Sequence, residues 1–320
     1  MPDMTFPLLQ LMQTKGIGPR VLDRILRRLE QDKMPLHVFV GLEPENIVAR
    51  SGLSMDQARA ILANEESASR AVELLDEHRI RMVLRSDALY PERLNTLLRE
   101  QAPPVLFVAG STDLLARRGV GFCGARDASE EALHCARQVA RALVQHDLLV
   151  VSGHAAGVDE SAHSAALQAG GCTAMVLPEG LLRFRPRASI SKLITDENAV
   201  IVSEFPPSYP WSVANAMQRN RTICGLVHAL IVIEAGTSGG TWAAGNDAIK
   251  LGLPLFVLDY ATPTPSGMGN PLLLKRGGRP LPCRPGQPPD LTLLMQTLDL
   301  PITRAKPVQP TLFDHLLEQV

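Results

Sequence analysis

Three segments of this chain place glycine and small polar residues directly after an apolar run. They are Gly124-Ala125-Arg126-Asp127, Ser152-Gly153-His154-Ala155-Ala156-Gly157-Val158-Asp159 and Glu234-Ala235-Gly236-Thr237-Ser238-Gly239-Gly240-Thr241. Glycine lets the backbone approach a ligand, and N–H groups at a helix start favour an anion, most simply a phosphate. Gly124, Ser152, Gly153, Gly157, Ser238 and Gly239 are the loop positions expected to face it. None of the three loops contains G-x-G-x-x-G or G-x-x-x-x-G-K-[ST], so none is a dinucleotide fingerprint or a Walker A loop.

Arg126 in the first loop and the segment Arg219-Asn220-Arg221 supply planar guanidinium groups, which grip phosphate oxygens in a bidentate way that lysine does not copy. An isolated Arg-Asn-Arg reads as a surface pair at a helix end. Its place just before the apolar run that leads into the third loop shifts the reading toward phosphate contact. Lys192 joins Arg183, Arg185 and Arg187 around Phe184 and Pro186, a pattern that stacks a base and holds its backbone, or simply forms a solvated loop. With aromatic residues at only 4%, an extended stacking platform is not expected.

Asp159 and His163 share a helix face, which fits an acid/base relay or a metal pair. A third ligand at helical spacing is missing and Ser152 lies in no G-x-S-x-G elbow, so a structural polar network is the preferred reading and no metal or cofactor is expected. Glu204 and Glu234 each follow an apolar run; as general base or as acceptor of loop N–H bonds, the two readings are evenly matched.

The elements that position these residues follow from periodicity. Residues 1–85 read as helical, with Gly16-Ile17-Gly18-Pro19 between two apolar stripes in the manner of a helix-hairpin-helix and a second such turn at Ser51-Gly52-Leu53-Ser54. From residue 86, short apolar runs at 120–123, 148–151, 173–177, 200–202, 229–233 and 254–258 alternate with helical stretches. In the first of those stretches Ala132, Cys135, Ala136, Val139, Ala140 and Leu143 form an apolar stripe, and Asp127 with Glu130 has capping spacing. The expectation is an α/β, Rossmann-like doubly wound and mostly parallel sheet over 86–290. A small helical domain of helix-hairpin-helix or SAM-like type would span 1–85, and a C-terminal tail with one helix 291–320.

The composition of the 320 residues bounds the partners. Lys plus Arg number 32 against 33 Asp plus Glu, a net charge of −1 that argues against bulk electrostatic binding and leaves only a local positive site. Apolar residues at 45% suit a folded core. Five scattered cysteines without C-x-x-C fit a reduced, cytoplasmic chain, and no apolar run approaches a membrane span or a leader peptide.

Taken in order, these motifs resemble the DNA-processing protein A (DprA/Smf) family. The resemblance rests on Ser152-Gly153-x-Ala155-x-Gly157-Val158-Asp159-x-x-Ala162-His163, Ser203-Glu204-x-Pro206, Arg219-Asn220-Arg221-x-Ile223-x-Gly225-Leu226, Glu234-Ala235 and, approximately, Ser266-Gly267-x-Gly269-Asn270. It covers roughly residues 90–280. The resemblance implies a non-enzymatic protein that holds single-stranded DNA in a pocket of the Rossmann-like domain, forms a homodimer and helps load a RecA-type recombinase during DNA-mediated transformation. It implies backbone contacts for Arg126, Arg219 and Arg221, and close approach at Gly153, Gly157 and Gly239.

The chain departs from the family pattern at His154, where an apolar residue is usual, at Leu258-Asp259-Tyr260 in place of proline-glycine, and at Phe184-Arg185-Pro186 in place of tyrosine-proline. Only about thirty residues follow the core, too few for a winged-helix domain. These departures mark a divergent branch, for which a role in a mobile-element or defence module competes with transformation. Two other classes compete: a nucleotide-binding enzyme or sensor of phosphoribohydrolase type, and an adaptor built on the helical first domain.

Overall fold

The computed structural model describes residues 4–259, 264–284 and 287–299. Tyr260 and the tail beyond residue 299 lie outside the described residues. The first segment is helical: α1 (Thr5–Met12), α2 (Pro19–Gln31), α3 (Leu36–Val40), α4 (Pro44–Ser51), α5 (Met55–Ala63) and α6 (Glu65–Glu77). Strand β1 (Arg81–Leu84), helix α7 (Glu92–Leu98) and strands β2 (Val105–Gly110) and β3 (Gly119–Cys123) follow. Next come α8 (Glu130–Gln145), β4 (Leu149–Ser152), α9 (Val158–Gln168), β5 (Thr173–Leu177), β6 (Ala199–Ser203), α10 (Val213–Leu226) and β7 (Ala229–Val232). The described chain ends with α11 (Gly239–Leu251), β8 (Leu255–Leu258), α12 (Asn270–Lys275), β9 (Arg279–Leu281) and α13 (Thr292–Leu298).

These elements gather into two compact units. One comprises the chain through Arg117 together with Cys172–Leu226; the other comprises Arg118–Gly171 and the chain from Val227 onward. In the first unit the strand order is β1-β2-β6-β5, with β2 antiparallel to both neighbours and β5 parallel to β6. Its core joins Leu8, Ile25, Phe39 and Ile61 of the helices to Phe107, Leu177 and Ile201 of the strands. The second unit is a five-stranded, wholly parallel sheet in the order β4-β3-β7-β8-β9. The chain is thus an α/β protein in which parallel pairing predominates, with a helical region first.

All six apolar runs form strands, and the six-residue stripe of α8 is buried against Val120, Phe122 and Val150. Three further strands escape periodicity. β1 begins on the exposed Arg81 directly after a helical segment, and β9 carries Pro280, which a sheet tolerates at its edge. β2 follows Pro103-Pro104, which disguised it as part of the connecting segment. The Asp127–Glu130 pair does not cap α8: Asp127 is exposed, and Ser129 is the N-cap, its Oγ accepting from the Ala132 N–H at 3.2 Å. The cap lies one residue before the helix, and a serine satisfies that geometry as well as an aspartate does. Ser54 and Gln57 form a reciprocal capping box beyond the turn at Gly52, whose φ is +69°. Among the described residues no helix is long and apolar enough to cross a membrane.

Candidate functional site

An open parallel sheet binds ligands beyond the carboxyl ends of its strands, where the strand order reverses. In the second unit that place is β3, flanked by β4 and β7. The three glycine loops leave the carboxyl ends of these three neighbouring strands. They are joined through the backbone: the Ala125 N–H donates to the Glu234 carbonyl at 2.8 Å. Gly157 approaches the first loop closely, since a Cβ there would lie 2.4 Å from the carbonyl oxygens of both Ala125 and Arg126, and its φ is +78°. The run Gly119-Val120-Gly121-Phe122-Cys123-Gly124 does spell G-x-G-x-x-G, but Gly119–Cys123 is strand β3 itself and not the turn such a fingerprint needs.

The loops are not equivalent. In the second, Asp159 Oδ2 accepts from the N–H groups of Gly153 and Ala155, each at 3.2 Å, so the Gly153 N–H is turned to the carboxylate instead of to an incoming anion. Ser152 is buried and donates to the Phe122 carbonyl at 2.8 Å, tying β4 to β3. His154 takes φ +62°, unusual for a residue with a side chain, and its ring centroid lies 6.4 Å from that of the buried His163. In the first loop, Gly124 serves packing: a Cβ there would strike Val158 at the start of α9 at 2.3 Å. Arg126 is exposed.

The third loop is the open one. Thr237, Ser238, Gly239 and Gly240 are exposed, Gly239 has φ +87°, and the Ser238 side chain makes no cap to α11. Beneath it Glu234 is fully buried and acts as a clamp. Its Oε2 accepts from the N–H and Oγ of Ser129 at 2.8 and 3.1 Å; its Oε1 accepts from Thr264 Oγ1 and, at 2.6 Å, Ser266 Oγ. Asn270, also buried, donates to the carbonyls of Ile233 and Leu258 and accepts from the Ala235 N–H. Of the two readings of Glu234, the geometry favours the acceptor that holds loops. Ser129 and Thr264 carried no signal in sequence, and Ser266 only its place in the approximate family segment, because their role depends on a carboxylate about 30 to 105 positions away.

The remaining expected site residues lie in the first unit. Along α10 Arg219 and Asn220 are buried whereas Arg221 is exposed. Arg219 Nη1 donates to the Val176 carbonyl at 2.5 Å, anchoring α10 on β5, so its charge is committed inward. Arg221 Nη1 lies 3.3 Å from Gln101 Oε1. Glu204 is buried and accepts from Gln218 Nε2 at 2.6 Å and Thr222 Oγ1 at 2.7 Å. Burial pushes its carboxyl above the ordinary carboxylate range, opposed by those two hydrogen bonds and by Arg219. Lys192 is exposed in a turn. Phe184 is partly buried and packs on the core of this unit, while its flanking arginines donate to backbone carbonyls, Arg183 to Ser208 and Arg185 to Leu182 and Phe184.

Parallel strands with glycine loops at their carboxyl ends define a Rossmann-like α/β protein. Residues 81–283, more than half of the chain, match the model of the DNA recombination-mediator protein A family, and the chain belongs to that family. Protein Smf of Escherichia coli is 29% identical over 234 residues, 72% of this chain and 62% of that protein. The DNA processing protein DprA of Streptococcus pneumoniae is 34% identical over 175 residues, 54% of this chain and 60% of that one. The chain therefore spans about three-fifths of the length of these curated relatives. The X-ray structure of the Streptococcus pneumoniae protein superposes with a TM-score of 0.72 at 25% identity, covering 88% of this chain and 95% of that chain. DNA processing protein A from Helicobacter pylori, known for a single-stranded DNA binding mode, has a TM-score of 0.54 at 25% identity, covering 63% and 90%.

Proposed function

We propose that this chain is a cytoplasmic recombination mediator that binds single-stranded DNA through phosphates, acts as a homodimer and hands the strand to a RecA-type recombinase. The observation that carries the reading is the exposed edge at the carboxyl ends of β3 and β7. There Arg126 and the start of α11 at Ser238 and Gly239 offer positive charge and an uncapped helix start. In the first unit Arg221 and Lys192 add exposed cations, and Arg219 with Asn220 positions Arg221 from below. The single-stranded DNA binding of the Helicobacter pylori relative points the same way. Binding rather than turnover is favoured because the carboxylates of Asp159, Glu204 and Glu234 already accept hydrogen bonds from the protein. Helices α1 to α6 then serve packing or partner docking.

The test is a titration of labelled single- and double-stranded oligonucleotides and of mononucleotides across salt. Single-stranded affinity should fall with salt at a slope of about 0.7 per neutralised phosphate, and Arg126→Ala should reduce that slope by about one such increment. Tight mononucleotide binding without oligonucleotide affinity would overturn the proposal.

A further inference from the structure

Between β6 and α10 the first unit carries a rigid loop that presents an aromatic ring outward. Tyr209 is 44% exposed, and its ring lies nearly parallel to that of the buried Phe205, with centroids 6.0 Å apart and planes at 14°. Offset stacking at this separation is favourable and fixes one face of the tyrosine against the protein. The loop beneath the ring is tied down from several sides. The Tyr209 N–H donates to the Pro206 carbonyl, and the carbonyls of Pro207, Ser208 and Tyr209 accept from the Leu182 N–H, Arg183 Nε and the Gly180 N–H, all at 2.8–2.9 Å. Gly180 permits this contact, since a Cβ there would lie 2.1 Å from the carbonyl oxygens of Pro206 and Pro207.

An exposed ring on so constrained a loop has little conformational freedom left to lose on binding, which is what a preorganised contact requires. The surrounding charge selects the ligand. The segment 179–192, whose backbone holds the loop, contains Arg183, Arg185, Arg187 and Lys192 against one carboxylate, Glu179. A flat hydrophobic face on a loop that Arg183 touches and a cation-rich segment holds suits an unstacked base with its phosphates better than it suits a protein surface.

We infer that Tyr209, backed by Phe205, is a base-stacking platform for single-stranded DNA. The inference rests on the proposed strand binding and adds, on the first unit, a residue that contacts bases. Stacking is indifferent to sequence, because every base has a π-face, so the platform adds affinity without specificity.

The full chain is tested with a thymidine oligonucleotide and an abasic oligonucleotide of equal phosphate number, by fluorescence anisotropy. Tyr209→Ala should weaken thymidine binding by about 5- to 160-fold, with abasic binding and the salt slope unchanged. Tyr209→Phe, which keeps the ring, should stay within about twofold of the parent. Thermal midpoints and sedimentation of each variant report folding and self-association. Equal loss on both oligonucleotides, no loss on either, or a change of oligomeric state without base discrimination overturns the platform while leaving strand binding standing. Failure of the unaltered chain to bind either oligonucleotide overturns both readings.

Discussion

Replacing Glu234 with alanine removes one acceptor group from four donors at once. The Ser129 N–H, 2.8 Å from Oε2, belongs to the backbone and cannot rotate toward another partner. Left buried without an acceptor it costs about 1–3 kcal/mol. The hydroxyls of Thr264 and Ser266 can turn elsewhere and contribute less. The Ser129 hydroxyl has two tasks, since it also accepts from Ala132 N–H at the start of α8. Loosening that cap adds about 1 kcal/mol. The sum, with the small void left by the side chain, is about 2–5 kcal/mol of destabilisation for Glu234→Ala. Glutamine in its place retains one acceptor oxygen for Ser129 and turns its amide toward hydroxyls that can accept, so Glu234→Gln should cost about 1–2 kcal/mol. Urea unfolding of the two variants beside the parent reads both values, and oligonucleotide titration of the folded proteins should find Glu234→Gln still competent. Alanine within about 0.5 kcal/mol of the parent, or a fully stable glutamine variant that has lost all binding, would refute the clamp and return Glu234 to a role at the ligand.

Two further perturbations test the frame of the site. Gly157→Ala combines a positive φ of +78° with a Cβ 2.4 Å from two carbonyl oxygens, so it should destabilise the second unit by about 2–5 kcal/mol and weaken strand binding through displacement of Arg126. A thermal midpoint equal to the parent would contradict it. Glu204 gives a pH signature: its folded carboxyl titrates above the unfolded value of 4.5, so the folded state holds more protons over that window and stability falls as pH rises through it. Glu204→Gln should flatten that fall in urea midpoints measured from pH 4.5 to 7.5, and an unchanged slope would remove Glu204 as its source.

Much of this was legible in the sequence because it is periodic or local. Alternation of apolar runs with helical stripes is enough to set a parallel α/β sheet. The α8 stripe from Ala132 to Leu143 is buried throughout, since a helix with one apolar face has one way to cover it. Glycine loops after successive strands place a ligand edge without any knowledge of contacts, because parallel strands all end on the same side. Order and spacing of the motifs over about 190 residues likewise identify the family, since separate loops rarely recur together by chance.

The sequence by itself therefore determined the fold class, the strand ends that carry the glycine loops and the family. Tertiary structure alone decided which of the named residues are exposed and which are committed to contacts inside the protein. Arg219 and Arg221 look alike in the chain, yet two residues along a helix are about 200° apart, so one guanidinium is buried on Val176 and the other exposed. Gly153 and Gly239 look equally open, yet Asp159 folds back on the first, while the helix after the second starts without a side-chain cap. Burial and hydrogen-bond direction depend on what packs from distant parts of the chain, and a linear pattern carries no record of that packing.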